Sequence, residues 1–561
     1  MAASSRSLTP LAGAARADTH CHIFNIRDLP AYAFVVDVVL ENDFLRNIAA
    51  PLARLIVEIC RARAPTYDDE KRILTARIAP RRSSAAEAAS DVDAILPATR
   101  SAAEPVQEID AMLIDGLRDY VERYTSFSST GRWQGWTVDY DLLITEELFR
   151  PLLGLEVDLT MPPDENASII LDHLPELVGS LRRYHANKVV AARASTLSYI
   201  VQFIRYWAPE LAKYRYKMAE DLAGLYGSSS IPVFLAPATL DIAGWLKHAA
   251  ADVPPTDLEK QSDLMSVISL VQPPNRAMHG FVGFDPWRYA VDLKKGRSPT
   301  ALDIVKRAVE QQGFVGVKIY PPMGFQAIGN AHLPDSAFPN LSEPYTGKGK
   351  MLDAALIALY DYCSTCAVPI MAHCALSQSP AGALPESAHP KHWGTLLDMK
   401  PIYKSSLRVN LAHFGGVWGF DGTHVCWTKE VAELIQTGSY EYLYTDFGDF
   451  ANILDRGNSD NIRCILDKIK HLIDNNRKVR ERVLYGTDFM LLGREPDFER
   501  FYGKMSSSMP DALGVGDLAG FMCDNAVRFL GLAPGEKTRT RLEAFYTTHG
   551  KNPRKLVQFG G

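Results

Sequence analysis

Eight short apolar runs, rich in β-branched and aromatic residues, recur along this chain, and helical patterns separate most of them. They are "ADTHCHIF" at 17–24, "IPVFLAPATLD" at 231–241, "HGFVGFDP" at 279–286, "FVGVKIYPP" at 314–322, "VPIMAHC" at 368–374, "LRVNLAHFGG" at 407–416, "EYLYTDFGD" at 441–449 and "RVLYGTDF" at 482–489. Helices are expected at 301–312, 351–363, 428–437 and 461–476. Apolar strands that alternate with helices are parallel strands covered on both faces. Eight such units predict an α/β fold, a closed (β/α)8 TIM barrel, with an open doubly wound sheet as the alternative. At 561 residues and 47% hydrophobic, the chain has material for that barrel and more.

The alternation breaks once. Between the first and second runs, 41–230 is largely helical in pattern, as in "VQEIDAMLIDGLRDYVERY", and reads as an insertion after strand one. The loop after a barrel strand lies on the face that carries chemistry. The insertion is expected to be a lid or part of a pocket wall, or else a decorative or homo-oligomer-forming subdomain. Within it, 80–105 is poor in large apolar residues and reads as a surface segment. The expected division is 1–40 for the first strand, 41–230 for the insertion, 231–535 for the rest of the barrel and 536–561 for a C-terminal extension.

Polar residues close the strands. "ADTHCHIFN" puts His20 and His22 one residue apart, and in a strand residues i and i+2 share a face. Alone, that pair is either a ligand pair or two ordinary strand residues. Yet the fourth strand carries Lys318, the fifth ends in His373, the sixth in His413 and the eighth in Asp488. In a barrel all of these meet at one mouth. Neutral imidazoles and a carboxylate suit zinc-like divalent ions, manganese included, and such an ion acidifies water. Asp488 can both bind the ion and take the proton of the water. An ammonium at Lys318 beside a cation is repelled, so this lysine is displaced, neutral, turned into an anionic carbamate that bridges two ions, facing substrate, or held in a salt bridge. Asp446, at the end of strand seven, either orients a histidine or caps the next helix. Arg288, in "DPWRYA", can hold a substrate carboxylate as a bidentate partner, and the aromatic loops that follow the strands can line an apolar pocket.

The remaining features exclude several classes. A net charge of −6 argues against general nucleic-acid binding. Eight cysteines are too sparse for a disulfide framework, and "CSTC" at 363–366 has no second pair to make a zinc ribbon, so reduced, packed thiols in the cytoplasm are expected. No run of eighteen apolar residues suggests a membrane span, and the opening stretch is a poor signal peptide.

The ordered stretches "DTHCHIFN", "GFVGVKIYPP", "PIMAHC", "NLAHFGG" and "VLYGTDF", with "FMCDNAVRFLGL" at 521–532, resemble the amidohydrolase superfamily, in particular its amidohydrolase-related (amidohydrolase 2) branch. The resemblance covers 17–25 and most of 231–532, and not 41–230. It implies that His20, His22 and Asp488 bind a buried metal, and that His373 and His413 bind a second ion or assist a single one. It implies a bridging, carboxylated Lys318 in two-metal members and no such role in one-metal members. The expected activity is metal-dependent hydrolysis of an amide, lactone or related bond in a small substrate, with Asp488 moving the proton and His413, His373 or Lys318 steadying the oxyanion. The alternatives are a decarboxylase or hydratase acting on an aromatic or unsaturated acid, and a barrel kept as a non-catalytic scaffold.

Overall fold

The computed structural model describes residues 15–39, 64–78, 208–227, 231–249 and 252–559 except 342, 377–378, 381, 421, 423, 455–458, 496 and 515–517, together with 54, 57, 60 and 61. The expected insertion over 41–230 and its surface segment at 80–105 thus lie mostly outside the described residues. The chain forms two compact units, one of Met1–Val38, Pro65–Pro80 and Tyr214–Gly561, the other of Val39–Ala64 and Arg81–Lys213. In the second unit, the described Val57 and Cys60 are buried and Ala208–Leu211 make one helical turn.

The first unit is a parallel barrel. Its strands are β1 (Arg16–Cys21), β2 (Val233–Pro237), β3 (Arg276–Met278), β4 (Phe281–Gly283), β5 (Gly316–Ile319), β6 (Ile370–His373), β7 (Val409–Ala412), β8 (Leu443–Asp446) and β9 (Val483–Leu484). β1, β2 and β3 pair in that order, and β4 through β9 pair in sequence, every ladder parallel. β3 and β4 are two halves of one stave, the first facing β2 and the second facing β5. The Ala238–Phe281 bridge joins the two ladders. On the other side, Thr19 N–H donates to the Tyr485 carbonyl at 3.1 Å and Asp488 N–H to the His20 carbonyl at 2.7 Å, closing the ring. Eight staves thus form the (β/α)8 barrel.

The helices begin where their caps dictate. α1 (Tyr67–Ile78) and α2 (Arg215–Gly224) fall inside the 41–230 span yet belong to the first unit, and α3 (Leu258–Val271) starts at the capping carboxylate of Asp257. α4 (Pro286–Lys295) starts at Asp285, whose side chain accepts the Trp287 N–H while Pro286 fills the first helical position. That start ends the third stave earlier than the 279–286 run suggests. α5 (Ala301–Gln311) opens on a capping box between Thr300 and Asp303. α6 (Lys348–Cys366), α7 (Lys391–Met399), α8 (Thr428–Thr437), α9 (Ser459–Asn475) and α10 (Phe501–Leu513) follow. α11 (Asn525–Leu530) and α12 (Lys537–Thr548) complete the unit.

One buried cluster takes Ala17, Phe234, Ala277, Phe281, Met371, Ala412, Tyr444 and Leu484 from the strands and Phe529, Leu542, Phe545 and Tyr546 from α11 and α12. The C-terminal helices are therefore part of the barrel core. α1 and α2 are pinned by a buried charge network. Arg215 on α2 donates to Asp28 at 2.6 and 2.7 Å, to Glu70 on α1 at 2.9 Å and to Asn25 at 3.0 Å. Among the described residues no helix is long and apolar enough to cross a membrane.

Candidate metal centre

β1 delivers His20, and His22 follows immediately after the strand end at Cys21; both rings are buried. The hydrogen bonds of each ring assign its protons. His22 Nδ1 lies 3.0 Å from the Ala238 carbonyl, which can only accept, so Nδ1 carries the hydrogen and Nε2 is bare. His20 Nδ1 faces both oxygens of Asp446, at 3.2 and 3.1 Å, so it also donates and leaves Nε2 bare. Two glycines make room for this ring. A Cβ on Gly448 would lie 2.5 Å from His20 Nδ1, and one on Gly486 would lie 2.6 Å from His20 Cβ.

Asp446 is saturated with donors. Besides His20 it accepts the His413 N–H at 3.0 Å, the Gly448 N–H at 2.8 Å and the Asn410 amide at 2.6 Å. Burial pushes its carboxyl up, but His20, His413 and these donors outweigh that and hold it well below the usual carboxylate range. Of the two roles open to Asp446 in the sequence, the geometry is that of a group orienting a histidine.

Asp488 is the opposite case. Both its oxygens are buried, and neither accepts a well-formed hydrogen bond among the described residues. Oδ1 stands 3.2 Å from His22 Nε2 and 3.5 Å from His20 Nε2. The residue sits at φ +53°, a left-handed backbone that a non-glycine residue holds only where surrounding structure enforces it. Two bare nitrogens and a carboxylate oxygen thus converge, and the Lys318 ammonium reaches one of them, His20 Nε2, at 3.3 Å. Two imidazole nitrogens and a carboxylate oxygen are a ligand set that fits a divalent ion.

Lys318, His373 and His413 border this point. Lys318, inside the barrel on β5, lies 3.3 Å from His20 Nε2, and burial pushes its pKa down to about 8. His413 Nδ1 donates to the Gly448 carbonyl at 3.0 Å, so its Nε2 accepts from His373 Nδ1, also at 3.0 Å. Burial holds His373 well below the ordinary histidine value and His413 down at about 4, so both rings are neutral. β7 stops at Ala412 because the next four residues, His413, Phe414, Gly415 and Gly416, all take positive φ, at +67°, +47°, +69° and +86°. This turn brings His413 N–H to Asp446 and its ring to His373.

Two groups of three ligand residues therefore lie within reach of an ion, His20 with His22 and Asp488, and His20 with His413 and Asp446. Six sequence-selected residues, His20, His22, Lys318, His373, His413 and Asp488, are gathered at one mouth. Arg288 donates from Nη1 to Asp241 at 2.8 Å, and its Nε lies 3.9 Å from Asp292. Cys363 is buried, Cys366 half-buried, and every cysteine is free. Sequence reasoning passed over Asn410, Gly448 and Gly486. The signal for Asn410 was a polar residue inside an apolar run, "RVNLAH".

A (β/α)8 barrel with histidine–carboxylate groups at the C-terminal ends of its strands is the frame of a metal-dependent enzyme. Residues 283–532 match the amidohydrolase family, and this match supports a place in the amidohydrolase superfamily. The family match and the two His/Asp groups together support a metal-dependent hydrolase acting on a carbonyl-type bond. No curated protein matches the chain.

Proposed function

We propose that the centre holds one divalent ion, zinc in preference to manganese, through His20, His22 and Asp488, with His373 and His413 beside it, and hydrolyses an amide, lactone or related bond of a small substrate. The observation that carries this reading is the meeting of two proton-free imidazole nitrogens with the unpartnered Asp488 carboxylate. A single ion is favoured because the second group shares His20 through Nδ1, which is already bonded to Asp446, while Asp446 itself is filled by donors. Neutral imidazoles with one carboxylate are a donor set that suits zinc.

A divalent ion bound there polarises a carbonyl and acidifies water. Asp488 takes the proton of the attacking water and returns it to the leaving group. Lys318 offers positive charge to the developing oxyanion, and the His373–His413 pair orders the opposite wall. Asp446 fixes the tautomer and tilt of His20. Free cysteines throughout fit a reducing compartment such as the cytoplasm.

The test is Asp488→Asn, assayed on lactones for proton release, on amides for released amine and on aromatic acids for CO2. Hydrolysis by the wild-type protein should fall roughly 10²–10⁴-fold in the variant, with circular dichroism unchanged. Retained hydrolysis contradicts the assigned base, and CO2 release by the wild-type protein in place of hydrolysis would make the enzyme a lyase.

A further inference from the structure

Three large rings surround the centre, each leaning on a different histidine. Phe24, after β1, lies 5.5 Å from His22 between ring centroids, with planes at 60°. Tyr320, immediately after β5, lies 4.6 Å from His373 at 45°. Trp418, in the loop after β7, lies 5.4 Å from His413 at 72°. These are the spacings and tilts that aromatic pairs prefer. The three histidines beneath are buried, whereas Phe24, Tyr320 and Trp418 each stay partly exposed. Three loops from separate staves thus set partly exposed aromatic faces around one polar point.

We propose that Phe24, Tyr320 and Trp418 form a specificity-determining collar that receives an aromatic ring attached to the scissile carbonyl, so that the preferred substrates are aromatic carboxamides or esters of aromatic acids. The proposal rests on the hydrolase reading above and names its substrate class. An aliphatic group of equal size would bury similar area but would gain none of the edge and face contacts that these tilted rings offer. The ring of Tyr320 also lies 5.9 Å from Lys318 Nζ, so its position is tied to a residue of the centre.

The experiment is calorimetric titration of the zinc-loaded full chain with benzamide and with cyclohexanecarboxamide, which share the carboxamide and differ in aromaticity. The wild-type protein should bind benzamide roughly 3- to 10-fold more tightly. Trp418→Leu and Tyr320→Leu should bring that ratio towards one at unchanged metal content and melting temperature, and Trp418→Phe should restore it. Equal binding of the two probes by the wild-type protein, no binding of benzamide, or a ratio unmoved by Trp418→Leu, Tyr320→Leu and Phe24→Leu overturns the collar. A wild-type protein that keeps the benzamide preference but hydrolyses no aromatic carboxamide or ester of an aromatic acid sinks the hydrolase reading and leaves the collar standing.

Discussion

At the scale of the residue, the centre is governed by which nitrogen carries a proton. Ala238 and Asp446 each hold an Nδ1–H, and so His22 and His20 both present bare Nε2 atoms to Asp488. Asp446 does this for His20 while also holding the backbone of His413. Asp446→Ala should therefore release two elements of the centre together. It should weaken metal affinity roughly 10- to 100-fold, measured by competition with a chelator of known affinity. Asp446→Asn should fall between that variant and the wild-type protein, because its amide keeps one acceptor oxygen. Equal metal affinity in all three proteins would reduce Asp446 to a helix-capping role.

Among the elements, the strand ends were legible in the sequence because each carries a chemically unusual residue in an apolar run. His20, His22, Lys318, His373, His413 and Asp488 are all costly to bury without a purpose, and each marks a stave. The strand limits were less legible. "LRVNLAHFGG" reads as one long strand, but the left-handed run from His413 to Gly416 ends the pairing, and only the two glycines hint at it. The partner of Arg288 was not legible because Asp241 comes from the loop after another stave, 47 positions away. Long-range pairs of that kind leave no local trace, and the same holds for the seam under the barrel. There His279 donates from Nδ1 to the Gly313 carbonyl at 2.7 Å, and its Nε2 accepts from the Tyr546 hydroxyl of α12 at 2.8 Å. Burial holds its pKa down at about 3, against 6.5 in the open chain. The unfolded chain then binds a proton that the native protein refuses. The contribution of His279 is complete above about pH 6.5 and is lost progressively as pH falls towards 3. Melting temperature should thus decline more steeply between pH 6.5 and 4 in the wild-type protein than in His279→Gln, with a difference approaching ~1.4 kcal/mol per pH unit. Parallel curves would show that this imidazole does not resist protonation.

Taken as a whole molecule, the barrel assembles its chemistry from positions separated by up to 468 residues, His20 on the first stave and Asp488 after the last, brought together where the ring closes. The same closure that hydrogen-bonds Asp488 N–H to the His20 carbonyl places the two side chains 3.5 Å apart. Folding and metal binding are in this way two readings of one contact. The most direct measurement is metal content per chain, by elemental analysis after equilibration with zinc and removal of loose ion, for the wild-type protein and for His20→Ala, His22→Ala and Asp488→Asn. One tightly held equivalent in the wild-type protein, lost in each folded variant, is the predicted result. Wild-type protein that retains no ion, or variants that retain the full equivalent, would contradict it.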